Sequence, residues 1–100
     1  MFENIKGFLW EEWNIEHIER HGIVPDEVEE AFYHDQNRKF FNDDLHSEEG
    51  EKRYFGLAKV PSSGRLLKFV FVIEDEYLVI ITAYQCTNDK KLVEAYNQSN

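Results

Sequence analysis

The segment at residues 66–73, LLKFVFVI, constrains the fold more than any other part of the chain. Every side chain in it is apolar except Lys68. A strand exposed on one face alternates apolar and polar residues, whereas a strand covered on both faces reads as a nearly continuous apolar run. The run is also far too short to cross a bilayer. The sequence therefore predicts that residues 65–73 form the central strand of a sheet that is covered on both sides for most of its length.

Three more segments have the β-branched and aromatic composition of strands. They lie at residues 38–41, 52–60 and 77–85. Connections of only three or four residues link the last three candidate strands, and such short connections force neighbouring strands to be antiparallel. Residues 42–51 are rich in Asp, His, Ser, Glu and Gly and predict a polar loop.

Helices are predicted on both sides of this strand region. Residues 11–20 form the first, with Gly22 as a left-handed cap. The second begins at Pro25, and the third spans residues 87–96 with Thr87 as its cap. The side chains expected to face the core are Trp10, Trp13, Val28, Phe32, Leu92, Val93 and Tyr96.

The predicted elements follow in the order α-α-β-β-β-β-α within one domain, residues 1–100, because chains of this length rarely hold more than one core. We therefore expect an α+β fold in which a small antiparallel four-stranded sheet carries helices on one face. No second sheet is available to cover the other face. We expect that face to be partly concave and to carry the function.

The net charge of −9 opposes the binding of nucleic acid by the molecule as a whole. The acidic side chains are concentrated near the N-terminal end. Residues 1–36 have a net charge of −8, residues 37–68 have +2 and residues 69–100 have −3. Exposed charges more than about 10 Å apart are largely screened at physiological salt. A local anion-binding surface in the basic middle third is therefore compatible with the negative total.

The composition also bears on cofactors and location. The single cysteine, Cys86, excludes an internal disulfide, has no His or Lys neighbour in the sequence and is expected to be inert. His17 and His21 are spaced i, i+4, but Ile18 stands where the zincin motif requires Glu, so we expect neither a metal nor a cofactor. The start of the chain has no signal-peptide pattern, which favours a cytoplasmic protein without a membrane segment.

A series of short motifs is spread over residues 10–90. The motifs are Trp13-Asn14, His21-Gly22, Glu27, Glu30-Ala31-Phe32, Asp44, His46-Ser47, Glu51, Arg53, Gly64-Arg65 and Ile80-Ile81-Thr82-Ala83. Together they resemble the BrnT-type toxins of the RelE-like ribonuclease superfamily. The resemblance implies a RelE/BrnT-like fold, a toxin of a type II toxin-antitoxin system, cleavage of RNA without metal, and a DNA-binding antitoxin encoded beside it. The chain departs from the family after Ala83, where Tyr84 and Gln85 stand at positions that usually hold arginine.

Cleavage of RNA without metal needs a base for the 2′-hydroxyl proton, cations for the phosphate and an acid for the leaving 5′-oxygen. His46 or Glu51, in or beside the polar loop, is expected to transfer protons, because an imidazole titrates near neutrality and a carboxylate can be tuned toward it. The alternative for both side chains is a hydrogen bond that only stabilises the turn.

Arg53 is expected to clamp a phosphate together with Arg65 or Lys68, and Lys68 is also an expected RNA contact. Only one of the two can share a face with Arg53, because residues three apart point to opposite faces of a regular strand. The alternative for the arginines is an ordinary salt bridge at a strand end, to Glu51 or Glu74.

Tyr84 is placed by the period of two on the same face as Leu78, Ile80 and Thr82. Its phenol is expected to stack on a base or to donate a proton. The alternative is an aromatic side chain that closes the edge of the core. Lys52 is a further residue expected to bind RNA.

A rival interpretation is a non-catalytic interaction module on the same scaffold. The net charge of −9 and the missing arginines after Ala83 motivate it. In that case the acidic run at residues 26–30 imitates phosphate and docks a basic or DNA-binding partner. An enzyme for a small anionic substrate is a third possibility, resting on the same cations.

Overall fold

The computed structural model describes residues 2 and 4–98 and shows an α+β fold. A short strand is followed by two helices, then by four strands and a last helix. In chain order the elements are β1 (Gly7–Phe8), α1 (Glu12–Glu19), α2 (Pro25–His34), β2 (Lys39–Asn42), β3 (Tyr54–Lys59), β4 (Leu66–Glu74), β5 (Tyr77–Gln85) and α3 (Lys90–Asn97). None of these helices is long and apolar enough to cross a membrane.

The described strands form one mixed sheet in the order β1-β5-β4-β3-β2. The four predicted strands pair antiparallel, and β4, which contains the apolar run, lies at the centre as predicted. The sheet nevertheless has five strands, because β1 adds in parallel to β5 by pairing Gly7 with Tyr77 and Phe8 with Leu78. A strand of two residues is too short to produce the alternation from which strands are predicted.

One face of the sheet packs against α1 and α2 and holds the main core. Phe69 and Phe71 of β4 are fully buried there against Ile18 of α1 and Val28 of α2. Phe32 is also buried, as predicted, but Trp13 is 48% exposed and does not belong to this core. We call this side of the sheet the helix face.

The opposite face is covered at one end by α3. Tyr96 of α3 is buried against Leu57 and Leu66, and Leu92 and Val93 pack beside it as predicted. Helices therefore lie on both faces rather than on one. The remainder of this second face is only partly covered, and the side chains that project from it are half-buried. We call this remainder the open face; its members are Phe41, Arg53, Phe55, Lys68, Val70, Thr82 and Tyr84.

A β-bulge in β5 decides which side chains reach the open face. Val70 pairs with Thr82 while Phe71 pairs with Ile80, so Ile81 is an extra residue on β5. The extra residue reverses the alternation. Ile80 lies in the core of the helix face, whereas Tyr84 packs in the cluster on the opposite side. The prediction that Tyr84 shares a face with Leu78 and Ile80 is therefore wrong.

The third helix begins later than predicted. Its N-cap is Asp89, whose side chain accepts a hydrogen bond from the backbone N–H of Leu92 at 3.1 Å. The hydroxyl of Thr87 is used elsewhere, because it accepts hydrogen bonds from Leu66 N at 3.1 Å and from the Gln85 side chain at 3.0 Å. Thr87 therefore ties the end of β5 to the start of β4, and the predicted Thr87 cap is wrong.

Candidate nucleic-acid interface

Arg65 lies on the side of α2, away from the open face. Its guanidinium donates to Glu27 Oε2 at 2.7 Å, to Gln85 Oε1 at 2.9 Å and to the carbonyl of Gly22 at 3.3 Å. Arg53 precedes β3 and Arg65 precedes β4, so in this antiparallel pair the two residues stand at opposite ends, about 20 Å apart. The predicted clamp of Arg53 with Arg65 is therefore wrong.

Of the two partners expected for Arg53, Lys68 is the one that shares a face with it. It pairs with Leu57 on β3 and with Tyr84 on β5, and its ammonium lies 4.5 Å from the centre of the Phe55 ring. Lys68 and Arg53 are separated by about 13 Å of strand. Two long side chains that project from one face at this separation can contact neighbouring phosphates of one strand of RNA.

Arg53 and Glu51 form an ion pair with a distance of 3.2 Å between Arg53 Nε and Glu51 Oε1. This is the strand-end salt bridge that the sequence left open as the alternative. In the described part of the chain, the two terminal nitrogens of Arg53 have no hydrogen-bond partner and can meet an anion.

The polar loop positions His46 through Asp43. His46 Nδ1 lies 3.0 Å from Asp43 Oδ1 and 3.2 Å from Oδ2. The His46 side chain is 63% exposed, whereas that of Asp43 is 13% exposed. A carboxylate that contacts one ring nitrogen fixes the orientation of the imidazole and leaves Nε2 to exchange a proton with a ligand. Asp43 was missed in the sequence, although its place three residues before a histidine in a turn-rich segment was the available signal.

Hydrogen bonds hold this loop against the start of β3. Asp43 N donates to the carbonyl of Arg53 at 2.9 Å, and Arg53 N donates to Ser47 Oγ at 2.9 Å. Ser47 Oγ in turn donates to the carbonyl of Asp43 at 2.8 Å. Glu48 and Glu51 close the loop by two backbone bonds of 3.0 Å. The loop therefore continues the β2–β3 hairpin and connects the His46–Asp43 pair to Arg53.

Two phenylalanines that the sequence analysis did not select form part of the open face. The rings of Phe41 and Phe55 are stacked, with centroids 4.8 Å apart and 20° between their planes. Both are half-buried, so each ring presents part of its surface to solvent. Aromatic side chains on a sheet are the usual platform on which proteins stack single-stranded bases. Their signal in the sequence was the alternation of β2 and β3.

Tyr84 and Lys52 lie in different surroundings. Tyr84 is half-buried beside Lys68, and its ring centroid is 6.2 Å from that of His21 at the end of α1. Lys52 places its ammonium 5.6 Å from the centre of the Tyr54 ring, which packs against the core of the helix face. Lys52 therefore points away from Arg53, and the structure does not bring it to the open face.

The remaining reactive side chains do not extend the site. Burial, with a smaller contribution from Asp89, raises the pKa of the Cys86 thiol to about 11, while the nearby Lys68 lowers it slightly. Cys86 is thus a protonated, buried thiol at neutral pH, as expected of an inert cysteine. Over residues 2 and 4–98, no three His, Cys, Asp or Glu side chains are grouped so that they could hold a metal ion.

Comparisons with protein-family models, with curated proteins and with solved structures found no match to this chain. The function is therefore argued from the open face itself.

Proposed function

We propose that the chain is a metal-independent ribonuclease that binds RNA on its open face, as the toxin of a type II toxin-antitoxin system. The observation that carries the proposal is a set of cations and aromatic rings on one surface, beside a loop that holds an imidazole. Arg53 and Lys68 lie on the open face with the stacked pair Phe41 and Phe55. His46 lies in the adjoining loop, which is hydrogen-bonded to the backbone of Arg53. These are the groups that recognition and cleavage of single-stranded RNA require.

Each group has a chemical role in this proposal. Phe41 and Phe55 stack with a base, Arg53 stabilises the charge that develops on the reacting phosphate, and Lys68 binds a neighbouring phosphate. His46, held by Asp43, takes the proton from the 2′-hydroxyl, whose oxygen then attacks the phosphorus and displaces the 5′-oxygen. Tyr84, next to Lys68, stacks on a second base or protonates the leaving oxygen.

The net charge of −9 is unevenly distributed: residues 1–36 carry −8, whereas residues 37–68 carry +2. Ten of the acidic residues lie in residues 1–36, whereas the open face draws its cations from residues 37–68. Charges separated by more than a Debye length of about 8–10 Å act weakly on each other at physiological salt. We therefore expect binding of RNA to be strongly weakened by added salt.

The test is incubation of the purified chain with single-stranded RNA in EDTA. We expect cleavage by the wild type, about a hundredfold slower cleavage by His46→Ala, and at least about tenfold slower cleavage by Arg53→Gln or Lys68→Met. Lys90→Met is the matched control, because it removes one positive charge from an exposed position on α3. RNA that stays intact, or equal loss in the control and in Lys68→Met, contradicts the proposal.

A second candidate is an interaction module that binds a basic or DNA-binding partner without cleaving RNA. The specific observation in its favour is the replacement of arginine by Tyr84 and Gln85 after Ala83, next to Lys68. This candidate predicts no growth arrest when the chain is expressed alone, whereas the toxin predicts arrest that a co-expressed antitoxin from the adjacent gene relieves.

A further inference from the structure

A cleft of about 260 Å³ lies between the segment that leads into α1 and the second face of the sheet. Its sheet side is formed by Val72, Val79 and Ile81, of which Val72 and Val79 are buried. Its other wall is formed by Leu9 and Trp13. The cleft is thus lined by five apolar side chains, and it is separate from the stacked phenylalanines of the open face.

Two of these apolar side chains are unusually exposed. Trp13 is 48% exposed and Leu9 is 40% exposed. The indole N–H of Trp13 donates to Glu11 Oε2 at 2.6 Å, which orients the ring without burying it. Exposed tryptophan next to an apolar depression is typical of surfaces that bind another protein, because the ring offers a large apolar area at low entropic cost.

Three carboxylates complete the lining of the cleft. They belong to Glu11, Glu51 and Glu74, and no basic side chain is among the lining residues that the structure describes. Carboxylates at the edge of an apolar depression repel the phosphates of RNA and attract lysine or arginine. The volume is below the range of about 300–1,000 Å³ that holds drug-sized ligands and suits one large side chain.

We propose that this acidic cleft is the docking site of a protein segment that carries an apolar side chain flanked by lysine or arginine. The apolar side chain enters between Trp13 and Val79, and the flanking cations meet Glu11 and Glu74, because Glu51 already pairs with Arg53. Charge complementarity commits the site to a basic protein segment rather than to nucleic acid. The net charge of −9 speeds the encounter with such a partner.

The probe is a synthetic amphipathic helical peptide of leucine and lysine, titrated into the full chain and followed by calorimetry and tryptophan fluorescence. Two further peptides keep its length: one replaces leucine by serine and the other replaces lysine by glutamate. We expect only the leucine-lysine peptide to bind. Because an exposed tryptophan at an interface contributes strongly, Trp13→Ala should weaken binding at least about tenfold.

Matched variants separate this site from general attraction to a negative protein. Glu74→Lys reverses a charge at the cleft without removing a packed group, since Glu74 is exposed, and should also weaken binding. Tyr33→Ala and Glu94→Lys are the controls, because they make the same types of change at exposed positions on α2 and α3 and should leave the affinity unchanged.

The proposal is overturned if the leucine-lysine peptide binds equally well to Trp13→Ala and Glu74→Lys, or if the serine peptide binds as tightly as the leucine-lysine peptide. In a second stage, single-stranded RNA is added to the complex. Displacement of the peptide by RNA that also quenches the fluorescence of Trp13 would overturn the proposal as well. The titration contains no RNA in its first stage and measures no cleavage. Its failure therefore leaves the proposed ribonuclease untouched, and a failure of RNA cleavage leaves this docking site untouched.

Discussion

Asn14 shows how one buried polar residue connects the sheet to the first helix. Its side chain is fully buried. Nδ2 donates to the carbonyls of Leu9 and Ile80, both at 3.2 Å, and Oδ1 accepts from Glu11 N at 2.8 Å. The pairing of β1 with β5 ends at Leu78. Beyond that point Asn14 supplies the donor that a neighbouring strand would otherwise give to Ile80.

Replacement of Asn14 by alanine should lower the free energy of unfolding by about 3 kcal/mol, because it leaves buried backbone groups without a partner. Urea denaturation of the wild type and the variant measures the loss. Asn88→Ala removes the same amide from an exposed loop and serves as the control. Equal stability of the two variants would show that the three hydrogen bonds of Asn14 do not support the fold.

Gly56 is required by the close approach of an aromatic ring rather than by a turn. A Cβ atom at this position would lie 2.6 Å from Cε2 of Phe69 and closer still to Cζ. The fully buried Phe69 pairs with Gly56 across β3 and β4 and lies over it. The ring thus occupies the space that any larger residue at position 56 would need.

We expect Gly56→Ala to lower the free energy of unfolding by about 3 kcal/mol through overpacking. Phe69→Leu alone should also be destabilising, because it leaves a cavity. The double variant should be less destabilised than the sum of the two, since the smaller side chain makes room for the methyl group. Strict additivity in a denaturation series would contradict this account of the glycine.

At the scale of elements, the sequence predicted best where the pattern is long. The bounds of β5 and the central place of β4 follow from runs of nine residues, and Pro25 correctly marks the start of α2. The prediction failed where one or two residues decide which face a side chain occupies or how many strands the sheet has. Ile81 adds a bulge that moves Tyr84 to the other face, and β1 consists of only two residues. Neither feature alters composition or periodicity enough to be seen.

The residue types of the candidate site were predictable, but which of these side chains contact each other was not. The sequence identified Arg53 and Lys68, which lie on the open face, and His46, which lies in the loop hydrogen-bonded to the backbone of Arg53. It could not reveal that Glu27, on a distant helix, would hold Arg65, because such a contact depends on how α2 packs across the sheet. Contacts between residues 38 positions apart are set by packing, not by local pattern.

Arg65 and Arg53 should consequently differ in what their loss affects. Arg65 joins α2, β4 and β5 and is 29% exposed, so Arg65→Met should lower the free energy of unfolding by about 1–2 kcal/mol after allowance for solvent screening. Arg53→Gln should leave stability nearly unchanged and weaken RNA binding. Denaturation and RNA titration of both variants, at one salt concentration, measure the two effects. The reverse pattern would place the phosphate contact at Arg65.

Across the whole molecule, much of the acidic charge on α2 has a structural use. Glu27 binds Arg65, Glu29 accepts from the Trp10 indole at 2.7 Å, and Glu30 accepts from the backbone and hydroxyl of Ser62. These three carboxylates attach the helix to the sheet and its loops. They are thus engaged within the chain and are less available to a basic partner than the exposed Glu74 of the cleft.

The protonated thiol of Cys86 and phenol of Tyr96, both buried between α3 and the sheet, predict how stability depends on pH. The pKa of Cys86 is raised from 9.0 to about 11, chiefly by burial. The pKa of Tyr96 is raised by burial and then by Asp35, whose carboxylate accepts the phenol hydrogen at 2.7 Å. A raised pKa means that the folded state keeps a proton that the unfolded state loses. The resulting stability is complete below pH 9 and disappears as the pH rises through the folded pKa.

For Cys86 the loss should be about 2 kcal/mol at pH 11, where the folded thiol is half ionised, since each unit of pKa corresponds to about 1.4 kcal/mol. Urea denaturation at pH 8, 9, 10 and 11 measures it. Cys86→Ala removes the thiol, so its free energy of unfolding should fall less steeply over this range even though its value at pH 8 is lower. Tyr96→Phe should likewise flatten the dependence at the upper end. If both variants keep the wild-type slope, the alkaline loss arises elsewhere, and the packing of α3 on the sheet does not depend on these two protons.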